Sequence, residues 1–283
     1  MHTTEGTFFQ RQVLPVSLTI IICGVLTALL YVQILVMNRF TETDILLQLR
    51  WGDILIGLTV YLKTSVDFAI FIGNLMHTNG GWKNRISIEL GTALGNALGT
   101  MIILVVWVLF KEVDWLLAAM IVLAGFVLIK LAEDGLEHAM HADREFPAFF
   151  KRIIRLTELA LHSINRLSRP VLRRILPEMS MKAEPRNGFF ALLAFSFTVP
   201  FILGLDDFAG YVPLFSVINI FGFAVGVFIA HAILNMFLFL SPEKTIKAVK
   251  NPIISFVGSL AFVGIAVWGF YEAYHIIANA YLG

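Results

Sequence analysis

Asp67 stands in a long apolar stretch with Lys63 four residues before it. On one continuous helix that spacing stacks the two side chains on one face, close enough to pair. An ionisable residue near the centre of a lipid-embedded helix costs about 2.5–3.5 kcal/mol on insertion scales, so it persists where it is paired, wet or useful. One reading is a self-neutralising ion pair. The other is a site where a cation competes with Lys63 for the carboxylate. A second acidic pair, Asp206-Asp207, lies in another apolar stretch. Adjacent helical residues point about 100° apart, so one can face a partner helix while the other terminates the span. Glu89 and, two turns on, Asn96 add a third carboxylate and an amide. Asn74, Asn219, His231 and Asn235 are further polar groups of the kind that hydrogen-bond between helices. Glu133, Asp134, Glu137, His138 and His141 form a cluster in which Asp134/His138 and Glu137/His141 have the i,i+4 spacing of metal ligands. It reads as a cytoplasmic loading site for a metal, or as a solvated helix end.

Oxygen dominates these donor sets. Carboxylates and carbonyls suit hard cations such as Mn2+, Ca2+ or Mg2+, whereas soft ions prefer thiolates. Cys23 is the only cysteine, which excludes a disulfide framework and any multi-thiolate centre. A divalent cation, or a proton coupled to another solute, is the natural cargo. No cofactor is implied.

The elements that must hold these residues are membrane helices. Of 283 residues, 58% are hydrophobic and 14% charged, with a mean hydropathy of +0.81. Soluble domains carry about a quarter charged residues. This composition excludes a soluble enzyme, a disordered chain and a nucleic-acid binder. The net charge of +1 selects no partner by a global field. The expected fold is all-α: a polytopic bundle of seven apolar segments at about 13–37, 52–76, 86–110, 114–131, 188–211, 213–240 and 252–281. The first is too long for a signal peptide and lacks a small-x-small cleavage site.

Lys83, Arg85, Arg144, Lys151, Arg152, Arg155, Arg166, Arg169, Arg173, Arg174, Lys182, Arg186, Lys244, Lys247 and Lys250 fall in the loops after the second, fourth and sixth spans. Arg11, Arg39, Arg50 and Lys111 fall elsewhere. The positive-inside rule then predicts a cytoplasmic long loop in a plasma (inner) membrane, with both termini outside. Within that loop, Phe150, Ile153, Ile154, Leu161, Ile164, Leu167, Leu172 and Ile175 recur at helical spacing among basic residues, bracketed by Pro147 and Pro177. This predicts an amphipathic helix lying on the inner leaflet.

Asp-Phe-Ala occurs at 67–69 and again at 207–209, three spans later. Three is odd, so the copies cross the membrane in opposite directions. Gly91, Gly95 and Gly99 in span three are echoed by Gly222, Gly226 and Ala230 in span six, stripes that admit close helix approach. Glu133, Asp134, Glu137 and His138 at the end of span four are echoed by Glu272 and His275 in span seven. The predicted organisation is an N-terminal span and outer loop (1–50), a first three-helix repeat (51–143), a basic amphipathic linker (144–187) and a second, inverted repeat (188–283). Inverted repeats build secondary transporters whose sites lie where kinked helices meet at the midplane. Pro200 and Gly204 supply a kink before the second acidic pair.

The segment Gly204-Leu205-Asp206-Asp207-Phe208-Ala209-Gly210-Tyr211-Val212-Pro213-Leu214-Phe215 resembles the second-half signature of the cadmium-resistance transporter family. That signature is Gly-x-Asp-Asn, an apolar and a small residue, then Tyr-x-Pro-x-Phe. Thr64-Ser65-Val66-Asp67 resembles the same family's first-half Thr-Asn-Ile-Asp. The family belongs to the lysine-exporter superfamily of inverted-repeat transporters. The resemblance implies a metal-ion exporter with Asp67, Asp206 and Asp207 in the transport path.

The expected function is export of a divalent metal cation by alternating access. Asp67 and Asp207 ligate the metal, Lys63 holds the empty carboxylate, and Glu89, Asp206 and Asn96 assist. The alternatives are transport of an amino acid or other small organic solute, or a non-transporting sensor or scaffold acting through the basic loop. The expected partners are the lipid bilayer and the metal ion, without nucleic acid, and a homo-oligomer is compatible. An enzyme is not expected: HExxH, GxSxG and an intramembrane Gly-x-Gly-Asp are all missing. The last span lacks a lysine for a retinal Schiff base.

Overall fold

The structure is a computed structural model. It describes residues 13–42, 44–140, 148–175, 188–215, 218–249 and 251–281; several helical stretches, among them 66–67, 138–140 and 202–210, are described by backbone alone. The described residues are helical, without a strand. Ten helices follow in chain order: α1 (Leu14–Met37), α2 (Trp51–Thr64), α3 (Val66–Thr78), α4 (Trp82–Lys111), α5 (Asp114–Met140), α6 (Ala148–Ile175), α7 (Phe189–Tyr211), α8 (Ile220–Leu240), α9 (Pro242–Val249) and α10 (Pro252–Tyr281). A 3-10 turn, Val212–Leu214, follows α7 around Pro213, which cannot supply a helical N–H. Asn219 caps α8 by accepting from Gly222 N at 2.9 Å, while its own amide donates to the Leu46 carbonyl at 2.8 Å. In lipid a backbone must satisfy its own hydrogen bonds, and long apolar sequences do so as helices.

Five described helices are long and apolar enough to cross a membrane: Val16–Met37, Trp82–Lys111, Asp114–Glu137, Ile220–Leu240 and Ser255–Ala280. They coincide with five of the seven expected segments, and the protein is a helical membrane protein in contact with lipid. The 52–76 segment differs from a plain span. It is the pair α2 and α3, bent by 63° at Ser65, and counts as a sixth span only if the bent pair is one crossing. The 188–211 segment is α7, in which the apolar stretch of described residues, Phe189–Phe201, is shorter than a span. One expectation fails on parity alone. Seven crossings put the two ends on opposite faces, so seven spans and two outer termini cannot hold together.

The chain forms two compact units, and each draws on sequence from both sides of the basic linker. The first comprises residues 1–105, 181–207 and 217–249. Here α2 lies along α8, α1 covers another side of α8, and α3 packs on α8 and α9. Of the α8 window, 67% is buried, against 17% for α1, so α8 is the axial helix and α1 faces lipid. Ile20, Ile21, Val25 and Val32 are the exposed apolar face of α1.

The second unit comprises residues 106–180, 208–216 and 250–283. Its spine is α5 packed along α10, with Phe126 and Phe270 rings 5.2 Å apart. Helix α6 runs antiparallel to the end of α5. Ile154 and Leu161 are buried among Leu128, Ile129, Ala132 and Leu136 of α5 and Phe262 and Ala266 of α10. The expected amphipathic helix is therefore present. One apolar stripe packs on protein, while Leu156 and Leu159 stay exposed beside Arg152 and Arg155.

Candidate functional site

Close approach of backbones brings polar side chains together in the first unit. A methyl group on Gly57 of α2 would collide with the Phe223 carbonyl of α8, and one on Gly226 of α8 with the Ile54 carbonyl of α2. One on Gly222 would lie 3.1 Å from Asp53 Cβ. Helices α4 and α7 meet in the same way. Methyls on Gly91 and Gly95 would strike the Leu193 and Phe197 carbonyls, and Ser87 Oγ donates to the Phe189 carbonyl at 2.5 Å.

This packing buries a hydrogen-bonded chain. Glu89, Thr92 and Asn96 share one face of α4, at i, i+3 and i+7; His231 and Asn235 share one face of α8, at i, i+4. Glu89 is 1% exposed, and its Oε1 accepts from Thr19 Oγ1 of α1. Thr92 Oγ1 donates to the Glu89 carbonyl at 2.9 Å, so it accepts from Asn235 Nδ2 at 3.2 Å. That orients the Asn235 amide with Nδ2 toward His231 Nε2, 2.9 Å away. Nε2 therefore accepts, and the ring proton sits on Nδ1, 2.5 Å from Tyr61 Oη of α2. Phe68 packs on the same imidazole with ring centres 5.5 Å apart.

The chain is not closed. Among the described residues, Glu89 Oε2, Asn235 Oδ1 and Asn96 Nδ2 are buried with no hydrogen-bond partner. Glu89 and Asn235 line a small, partly open cavity between α1, α4 and α8, together with Thr19, Cys23 and His231. The room suits a water-sized occupant rather than an amino acid. Most of the remaining lining is apolar, with Ile22, Leu26, Phe228 and Ala232, so Glu89 Oε2 and Asn235 Oδ1 stand out as its unsatisfied oxygens.

The other sequence-predicted residues fall as follows. Asp67 lies in the first turn of α3, and Asp206 and Asp207 near the end of α7; their side chains are outside the described residues. Lys63 is partly buried in the last turn of α2. The break at Ser65 falls between Lys63 and Asp67. Ser65 itself is 2% exposed. Glu133 turns to α6. Its Oε1 is 2.7 Å from His162 Nδ1, and its Oε2 accepts from Asn165 Nδ2. Asp134 and Glu137 are exposed; the His138 side chain and all of His141 lie outside the described residues. Among the described residues, no three His, Cys, Asp or Glu side chains converge to hold a metal.

Sequence reading named Glu89, Asn96, His231 and Asn235 as polar groups in spans but did not join them. It missed Thr19, Tyr61 and Thr92. Hydroxyls are ordinary in membrane helices, and only the i,i+3 and i,i+4 spacing beside Glu89 and Asn235 marks them.

Fold and site together define a polytopic helical membrane protein with a buried, acceptor-rich polar chain. Comparison with protein-family profiles, with curated proteins and with solved structures gives no match.

Proposed function

We propose that the chain is a secondary transporter that exports a divalent metal cation by alternating access between two inverted three-helix repeats. One observation carries this reading: the exchange of helices between the two halves. The glycine stripe of α4 receives α7, the stripe of α8 receives α2, and the third helices, α5 and α10, pack on each other. First-on-second, second-on-first and third-on-third is the pairing that a twofold relation between halves produces. The same relation equates Asp67 with Asp207. Each begins an Asp-Phe-Ala copy, one just after the bend at Ser65 and the other after Pro200. Bent helices at a repeat interface are where transporters hold their ions.

In this reading Asp67 and Asp207 ligate the metal from repeat-related helices, and Lys63 neutralises the empty site. Asp206 and Asn96 assist. The likeness of the two Asp segments to the cadmium-resistance transporter family supports an exporter of metal ions. The purified protein in liposomes, offered a panel of divalent metals and amino acids, tests it. The expected result is metal flux that Asp67→Asn abolishes. Flux of amino acids alone, no flux of any cation, or undiminished flux in the variant overturns it.

A further inference from the structure

The cavity between α1, α4 and α8 carries its own charge problem. Its lining includes a single carboxylate, that of Glu89, and no lysine or arginine. None of the ion pairs among the described residues involves Glu89. Both of its side-chain oxygens are inside the protein, one accepting from Thr19 and the other facing no donor. Asn235 Oδ1 is a second acceptor without a donor in the same cavity, and its orientation is set by Thr92 and His231. The titratable groups around Glu89 are Cys23 of α1 and His231 of α8, with Tyr61 of α2 behind His231 and Arg85 one turn earlier on α4. Arg85 donates to the Phe239 carbonyl at 3.0 Å. From α7, Leu193 and Ser196 come nearest at Gly91, and neither titrates.

We propose that this cavity is a monovalent-cation site, in which Glu89 Oε2 and Asn235 Oδ1 receive one positive charge, as a proton or as a sodium ion. The charge match decides against the divalent cargo. One carboxylate and neutral oxygens balance a single positive charge, whereas a divalent ion would leave a net charge in a low-dielectric interior. The space, sized for one water, suits the same ligand. A proton would bind to Oε2 and convert one of the two orphan acceptors into a donor. A sodium ion would bridge both. The Thr92–Asn235–His231–Tyr61 chain links the site to Phe68, the neighbour of Asp67. On the transporter reading above, on which this role rests, the occupant is the coupling ion, and its arrival is felt at the cargo motif through His231.

Binding is measured at equilibrium on the full chain in detergent, without any flux. In the sodium arm, replacing choline chloride by sodium chloride at fixed ionic strength raises the unfolding temperature of the wild type, and Glu89→Gln loses the shift. In the proton arm, the infrared difference spectrum between acidic and alkaline buffer contains a carboxyl C=O band that Glu89→Gln lacks. If Glu89→Gln does not fold, Thr19→Val replaces it. That variant removes the donor to Oε1, so it displaces the same band or the sodium midpoint. A Glu89-dependent signal in either arm supports the site. It is overturned if neither sodium nor pH gives a signal that these variants alter, or if Mn2+ stabilises the wild type through Glu89. A protein that moves no solute yet shows the Glu89-dependent signal would sink the transport reading and leave this site standing.

Discussion

Phe68 lies against the imidazole of His231 with ring centres 5.5 Å apart, and so joins the Asp-Phe-Ala motif of α3 to the buried polar chain of α8. Phe68 is 5% exposed and His231 is 4% exposed, so neither ring can move without the other. Through His231 this contact adjoins the hydrogen bonds to Tyr61 and Asn235.

The hydrogen bond on the far side of that ring is the first place to perturb. Tyr61→Phe removes the only described partner of His231 Nδ1 and keeps the ring packing. An interhelical hydrogen bond in a membrane is worth about 0.6 kcal/mol on average, and a buried group left unsatisfied costs about 1–3 kcal/mol. We expect a loss of about 1 kcal/mol, read from unfolding in mixed micelles. His231→Ala, which also empties ring volume, should cost more. Equal losses from the two variants would contradict the network.

The glycine contacts make a sharper comparison. Gly226→Ala pushes a methyl into the Ile54 carbonyl, a backbone atom that cannot turn aside. Overpacking of this kind costs about 1–3 kcal/mol. A methyl on Gly264 of α10 meets nothing within 4 Å. Gly264→Ala should therefore be neutral within about 0.5 kcal/mol. Thermal unfolding of the two variants side by side checks the α2–α8 approach directly.

Glu133 of α5 makes two side-chain contacts to helix α6. Glu133→Ala breaks both the His162 and the Asn165 contacts, while Ile154 and Leu161 stay buried. Partly exposed ionic contacts are worth up to about 1 kcal/mol, which is about a fivefold change in an opening equilibrium. Hydrogen exchange or limited proteolysis of α6 should accelerate by that factor, with α1 and α8 unchanged. Acceleration across the whole chain would mean that Glu133 holds more than α6.

On the transport reading, Asp67→Asn and Asp207→Asn each cut metal flux by about 100-fold or more, because each removes a charged ligand. Circular dichroism should stay at the wild-type level. A loss confined to one of the two aspartates would break the equivalence of the repeats.

By itself the sequence determined the solvent and the elements. Apolar runs of spanning length force helices because lipid offers the backbone no other partners. Five described spans and the amphipathic α6 stand where hydropathy and periodicity put them. Lipid-facing and buried helices read alike in hydropathy, so α8 could not be singled out as the axial helix. Local spacing also put Lys63 and Asp67 on one continuous helix, whereas the helix bends at Ser65. Glu133 shows the same limit from the other side. Its sequence neighbours suggested a metal, but its partners, His162 and Asn165, come from a helix about thirty residues on. Only the tertiary structure decided which polar residues meet. Thr19, Tyr61, Glu89, Thr92, His231 and Asn235 come from four helices. Glycine at 57, 222 and 226 lets α2 and α8 close to contact and so brings Tyr61 to His231, a consequence of three-dimensional packing that no linear spacing encodes.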